Sequence, residues 1–447
     1  MTQTPTVVEQ HAPPIHADDQ LRRVIGPWGV ATNGVNSAVG GGIFALPGII
    51  AALLGPAAFV CYLVCGVAVA LVLTCFAEIG SFVHRSGGPV AYIGEAFGPL
   101  AGFLAWVLYA IGFEAVATAA IGNLLADALA GVLPSLSHGI PRVFFFAVLF
   151  AGLAGVNIRG VKQGLSINVI STLGKLLPLL LLIVAGIFAM HWRELQWTGF
   201  PPAAKIGEAS LLIIFAFQGV EEGLCTSAEF RDPARTVPRG IFGAITLLIL
   251  LYVGLQAVSQ GVLGSRLGLD STAPLAHVAS QLFGPAGRVL ILVGASISIF
   301  GSIAATVMAA PRSVFLMAEE GILPAPLARV HPRFHTPYIS IAAFSGLVFV
   351  LSITGAFQRL AVLSSVSTLC VYLAICLGAL RLRYTRKPEP GAFRAPGGPL
   401  AGILGVAAVI WLLTHSTHVE FFALGVTLIL ATPYFLIRKR MVPRSTQ

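Results

Sequence analysis

The sequence predicts an all-α polytopic membrane protein that crosses the bilayer with twelve helices, and three observations carry that prediction. Of the 447 residues, 56% are hydrophobic and only 10% are Asp, Glu, Lys or Arg, against roughly 25% charge in soluble domains. Twelve apolar segments are each of the length needed for a bilayer core, about 20 residues. The stretches between them alternate between basic and nearly charge-free. Soluble enzymes and nucleic-acid binders are excluded, because 27 basic and 18 acidic side chains cannot coat a water-soluble surface of this size. The net charge of +9 follows from topology, and no nucleic-acid partner is expected.

Residues 1–24 lack an apolar run resembling a signal-peptide core and contain Pro13, Pro14, Asp18 and Asp19, so they read as a disordered polar tail. The spans that follow are centred in 27–53, 56–82, 98–130, 142–157, 164–190, 208–228, 239–264, 286–317, 337–354, 360–381, 399–414 and 420–437. An even number places both termini on one side. Cytoplasmic loops carry the Lys/Arg excess. With the N-terminus cytoplasmic, 20 of the 27 basic residues fall inside, among them Arg22, Arg23, Arg85, Lys162, Lys387 and Arg444. Six fall outside, and Lys175 lies within the fifth span. Localisation in the cytoplasmic membrane with both ends inside is therefore expected, residues 438–447 forming a second tail. The six cysteines, Cys61, Cys65, Cys75, Cys225, Cys370 and Cys376, all sit in apolar segments and read as small apolar side chains.

Two spans are interrupted. The first contains Asn33-Gly34-Val35-Asn36-Ser37-Ala38-Val39-Gly40-Gly41-Gly42-Ile43-Phe44, followed by Pro47. Each glycine there costs up to about 1 kcal/mol relative to alanine in a helix. Non-helical backbone at membrane depth is tolerated only where protein or a cavity surrounds it. The sixth span carries Phe215-Ala216-Phe217-Gln218-Gly219-Val220-Glu221-Glu222-Gly223, with two carboxylates amid an apolar run. Matching interruptions in two halves point to a transporter's binding site. The N–H groups at the start of each second half-helix attract a carboxylate, and the C=O groups ending each first half-helix accept from an ammonium. Together they suit an α-amino-acid headgroup.

Three stretches in order carry a resemblance. They are Val39 to Phe44 with Pro47 and Gly48; Gly219-Val220-Glu221 with Glu229-Phe230-Arg231-Asp232-Pro233, Pro238 and Arg239; and Arg312 with Ala318 to Pro324. Over residues 25 to 437 the chain resembles the amino acid–polyamine–organocation superfamily of LeuT-like secondary transporters. The resemblance implies a 5+5 inverted repeat with helices 1 and 6 broken, plus two extra helices: a first repeat over 25–195, a second over 206–383, and helices 11 and 12 over 396–437. By the same resemblance the N–H groups of Gly41 and Gly42, helped by Ser37, would hold the substrate carboxylate. The carbonyls of Ala38, Phe215 and Gln218 would hold its ammonium, and Phe215 would form an aromatic lid. Tyr109 and Phe113 would face the substrate side chain, and Gly40 and Thr306 complete the expected binding set. Many family members have serine where this chain has Gly41, so one hydroxyl contact is missing.

The ionisable residues inside the spans are the coupling candidates. A mid-bilayer lysine costs about 2.5–3.5 kcal/mol on insertion scales. Lys175 resembles members whose ammonium takes the place of a sodium ion, with Ser302 as its partner beside carbonyls of the first half-helix. It can serve proton coupling, stay charged for sodium-independent exchange, or be structural. Glu114 lies one step from Phe113 and is expected to face either a neighbouring helix or the pocket, where it would favour cationic side chains. Glu221 matches a glutamate that many members keep after the broken helix; Glu222 is extra, and two adjacent carboxylates repel. Asp127 and Glu78 near span ends are expected to be solvated. The histidines, including His84, His331, His335, His415 and His418, do not form a metal set, and no HExxH, phosphate loop or Gly-x-Ser-x-Gly occurs. No cofactor is expected. The functional expectation is a sodium-independent, proton-coupled or exchanging amino acid transporter. Its alternatives are a polyamine or cationic amine carrier and a non-transporting amino acid sensor.

Overall fold

The computed structural model describes residues 25–81, 83, 87–131, 133–160, 165–196, 199, 201–224, 230–269, 273–386 and 391–441. The expectations for the tail 1–24, His84, Arg85, Lys162, Cys225, Glu229, Lys387 and 442–447 lie outside these residues. The described chain is helical, with one isolated bridge between Ile25 and Phe230 as its extended pairing.

Each predicted span lies on helix. The first is split into α1 (Pro27–Ala38) and α2 (Gly42–Leu54), and the second is α3 (Ala58–Gly80). After α4 (Gly88–Phe97), the third span runs through α5 (Pro99–Val107), a π-helical stretch at Leu108–Ala115, and α6 (Val116–Ala130). Then follow α7 (Gly139–Ile158), α8 (Leu165–Ala189) and α9 (Ala203–Phe217), with a short 3₁₀ turn at Val220–Leu224. The rest is α10 (Pro233–Leu263), α11 (Pro274–Glu319), α12 (Tyr338–Thr354), α13 (Phe357–Thr385), α14 (Leu400–Leu413) and α15 (His418–Met441). Among the described residues, eight helical runs are long and apolar enough to cross a membrane, and Gly174–Ala189, Tyr338–Thr354 and Leu400–Leu413 are shorter apolar helices.

Proline and glycine set many of the boundaries. Pro27, Pro99, Pro233 and Pro274 stand in the first helical turn, where the missing N–H costs nothing. Within α11, Gly284 at φ +68 precedes Pro285 and kinks the helix. The basic residues Arg438, Lys439 and Arg440 sit in the last turn of α15, where they complement the helix dipole.

The helices form an enclosed centre and an apolar periphery. The interrupted elements are central: α1 packs on α10 and on the 220–224 turn, α2 on α9 and α11, and α9 on α3 and α13. By contrast α7, α8 and α15 expose Phe144, Leu177, Phe188, Phe422 and Ile429. An outer face of large apolar side chains is stable against lipid tails and unstable against water. Two carboxylates near span ends are tied down. Glu78, expected in solvent, is 6% exposed; it lies 3.5 Å from Arg383 Nε and accepts the Ala395 N–H at 3.2 Å. Burial there is tolerable because the carboxylate is both paired and hydrogen-bonded. Asp127 pairs with Arg142 at 2.6 Å.

Candidate functional site

The two helix interruptions face each other. In the first, α1 ends at Ala38, Val39 N donates to Val35 O at 2.9 Å, and Gly40 N folds back to Ala38 O at 2.8 Å. Helix α2 restarts at Gly42, so its first N–H groups have no intrahelical acceptor. Gly41 has ordinary helical angles, φ −67 and ψ −30, so its glycine is required by space: a Cβ there would lie 2.9 Å from Ile299 Cγ1. A Cβ on Gly42 would meet the Phe215 ring at 3.0 Å. In the second interruption Gln218 is extended and Gly219 has φ +95. Only glycine adopts that conformation readily, and a Cβ would also press the Ser37 backbone at 3.2 Å. Gly219 therefore lets the two breaks touch.

Between them lies a cavity of about 120 Å³. Of the expected site residues, Ser37, Ala38, Gly40, Gly41, Gly42, Phe113, Glu114, Lys175, Phe215, Gln218, Glu222, Ser302 and Thr306 line it. The fold brings together side chains from α1, the π-helical stretch, α8, α9 and α11. The Phe215 ring stands edge-on to Phe357, with centroids 5.7 Å apart, closing one side.

Lys175 is 4% exposed. Its Nζ donates to Asn36 O at 3.3 Å and to Ser302 Oγ at 3.3 Å. An ammonium there has a carbonyl from α1 and a hydroxyl from α11. The Ser37 hydroxyl reaches the Glu222 carboxylate, which also faces the charge on Lys175. Gln218 is held by α13: its Nε2 donates to Thr368 Oγ1 at 3.0 Å, and its Oε1 accepts from Ser364 Oγ at 3.0 Å.

Several expectations are corrected. Tyr109 does not line the cavity; it is buried behind Phe113, with ring centroids 5.0 Å apart. Of the two placements open for Glu114, a neighbouring helix or the pocket, it takes the second and lines the cavity. The cause is the π-helical stretch, whose wider turns rotate successive side chains by less than an α-helix does, so Phe113 and Glu114 share a face. Glu221 also stays outside the cavity lining: it is fully buried and accepts the Tyr372 hydroxyl at 2.9 Å. Adjacent residues of a 3₁₀ turn point a third of a turn apart, so the two carboxylates serve different neighbours. The Ala38 carbonyl, expected for a substrate ammonium, already accepts from Gly40 N and from Tyr252 Oη at 3.1 Å.

That Tyr252 hydroxyl also lies 2.8 Å from Ala216 O, so one α10 side chain bridges the ends of both first half-helices. Sequence reasoning passed over it and Asn36. The signal was present as a lone hydroxyl in the apolar run of α10 and an asparagine one residue before Ser37. The polar cluster Ser364-Ser365-Val366-Ser367-Thr368 in an apolar span likewise marks the face of α13 turned to Gln218.

Comparison with known proteins adds an independent observation. The family model described as amino acid permease matches residues 25–436. The serine/threonine exchanger SteT of Bacillus subtilis is 27% identical over 445 residues, covering 95% of this chain and 99% of that protein. The methylthioribose transporter of the same organism is 28% identical, covering 94% of each. The mouse Asc-type amino acid transporter 1 is 31% identical over 384 residues, covering 82% of this chain and 71% of that protein.

Proposed function

We propose, from the premise that this chain belongs to the amino acid permease family, that it is a secondary transporter carrying small amino acids through the membrane by alternating access. Both termini are cytoplasmic in this reading, and residues 25–195 and 206–383 are inverted halves that rock about the cavity. The observation that carries it is the facing pair of helix breaks, at 39–41 and 218–219, around a 120 Å³ cavity. Drug-sized pockets run to about 300–1,000 Å³, so this one suits a ligand of few atoms. The first N–H groups of α2 meet the substrate carboxylate, since a helix N-terminus is an anion site. The main-chain carbonyls of Phe215 and Gln218 serve its ammonium, the Ala38 carbonyl being already engaged.

Transport is sodium-independent, because Lys175 fills with its own ammonium the place between Asn36 O and Ser302 Oγ. Lys175, Glu222, Glu114 and Glu221 are the candidate proton carriers. The relatives' names agree with amino acids as cargo: two of the three cited carry or exchange them by name. The test is uptake by the purified protein in proteoliposomes, with a panel of amino acids plus methylthioribose, with and without an inward proton gradient. Saturable uptake of at least one amino acid is expected. Uptake of methylthioribose with none of any amino acid would overturn the proposal.

A further inference from the structure

We infer that Glu114 selects substrates bearing a second ammonium on a short side chain, so that the cavity takes a diamino acid in preference to a neutral amino acid of similar size. The inference rests on the amino acid transport proposed above and names the substrate class.

It begins with the charges around the cavity. Three ionisable side chains line it: Glu114, Lys175 and Glu222. Glu222 faces Lys175 and Ser37, and Lys175 is held by Asn36 O and Ser302 Oγ. One carboxylate and one ammonium thus balance each other, and Glu114 is left over.

The other enclosed carboxylates each have a protein partner. Glu78 has Arg383 and the Ala395 N–H, and Glu221 has the Tyr372 hydroxyl. Among the described residues, the Glu114 carboxyl has no hydrogen bond and no ion pair; its backbone carbonyl alone is engaged, by Thr118 Oγ1 at 2.6 Å. A carboxyl kept neutral for structural reasons would donate its proton to a nearby carbonyl or hydroxyl, since a buried O–H without an acceptor is costly. The Glu114 carboxyl opens on the cavity, where a ligand ammonium can pair with it.

The backbone supports the same conclusion. The π-helical stretch at Leu108–Ala115 puts Glu114 on the cavity-lining face with Phe113, where a regular α-helix would turn it aside. Such stretches are uncommon and gather at functional sites.

Length and volume narrow the ligand. The carboxylate cradle at Gly41 lies against Ile121, whose Cγ2 is 3.3 Å from where a Gly41 Cβ would stand. Ile121 is seven residues beyond Glu114 on the same helix, roughly 10 Å at 1.5 Å per residue. A headgroup with a chain of two or three carbons, and a hydrogen bond of about 2.9 Å at each end, covers that reach. A cavity of 120 Å³ leaves little room for more. Ornithine and 2,4-diaminobutyrate have this chemistry.

The experiment is proteoliposome uptake of alanine, serine, 2,4-diaminobutyrate and ornithine at neutral pH by the wild type, Glu114→Gln and Glu114→Asp. The wild type should have the higher kcat/KM for the diamino acids. A charge-assisted hydrogen bond contributes about 1.5–3 kcal/mol, so Glu114→Gln should lower diamino acid kcat/KM by roughly 10- to 100-fold more than it lowers that of alanine and serine. Glu114→Asp should recover part of the loss. The unfolding temperature and monodispersity of each purified variant are the control for folding; should Glu114→Gln fail to reconstitute, Glu114→Asp and ornithine inhibition of wild-type alanine uptake carry the test. Alanine or serine uptake that ornithine neither joins nor inhibits overturns the inference and leaves the transport proposal standing. So does an equal loss for neutral and dibasic substrates in either variant. An absence of all amino acid uptake in the wild type overturns the transport proposal itself.

Discussion

If Lys175 occupies a cation site with its own ammonium, replacing sodium by choline should leave wild-type uptake unchanged. The magnitude follows from the geometry. Nζ lies 3.3 Å from both Asn36 O and Ser302 Oγ, so a sodium ion using those oxygens would sit about 4 Å from it. At that separation two unit charges repel by about 4 kcal/mol at an effective dielectric of 20. With about 1.4 kcal/mol per decade, sodium occupancy falls by roughly three orders of magnitude, far below any useful coupling. The assay is the initial rate of substrate uptake into proteoliposomes in sodium or choline buffer of equal osmolarity. Lys175→Ala supplies the second arm. It removes the donor to a buried carbonyl and hydroxyl, a loss of about 1–3 kcal/mol, so uptake should fall by roughly 10- to 100-fold. It also removes the repulsion, so a response to sodium should arise only in the variant. Wild-type uptake that collapses in choline would refute the argument.

Three other expectations concern the breaks. Gly41→Val should cut uptake by more than about 10-fold with only a few degrees lost in thermal stability, because the backbone there is helical while the branched side chain meets Ile299 and crowds the N–H groups, an overpacking cost of about 1–3 kcal/mol; wild-type flux would remove Gly41 from the site. Phe215→Ala, which deletes the ring against Gly42 and Phe357, should slow exchange more than it weakens calorimetric binding, and equal values for both would reduce Phe215 to packing. Tyr252→Phe leaves the Ala216 carbonyl without the hydroxyl 2.8 Å away and loosens the tie between the two breaks. It should cost about 1–3 kcal/mol, read as a lower unfolding temperature together with a raised KM; if neither moves, the bridge is idle.

Much of the site was legible because its residues violate local rules in the sequence itself. Gly40-Gly41-Gly42, Gln218-Gly219 and Lys175 are poor helix or poor membrane residues, and a position that breaks a rule inside an apolar run needs a compensating partner. All of them but Gly219 line the cavity between the two breaks, and Gly219 lets those breaks meet. Periodicity misled wherever the helix departs from 3.6 residues per turn. Tyr109 and Phe113, four apart, share an α-helical face, yet the π-helical stretch puts Glu114 on the cavity and Tyr109 behind Phe113. In the 3₁₀ turn, Glu221 goes to Tyr372 and Glu222 to the cavity, so neighbours that read as a repelling pair have separate partners.

The sequence by itself determined that this is an all-helical membrane protein, where its long apolar segments run, and which two are interrupted. These are properties of composition and local backbone preference, written in any window of about 20 residues. Only the tertiary structure decided that Tyr252 spans both breaks, that Asn36 supplies the carbonyl to Lys175, that Ala38 O is already engaged, and that Glu78 is buried against Arg383. Each of those pairings joins residues well separated along the chain, up to 305 positions for Glu78 and Arg383. A hydrogen bond's energy depends on distances of a few tenths of an ångström, and no local pattern encodes a distance between helices that meet only when the chain has packed.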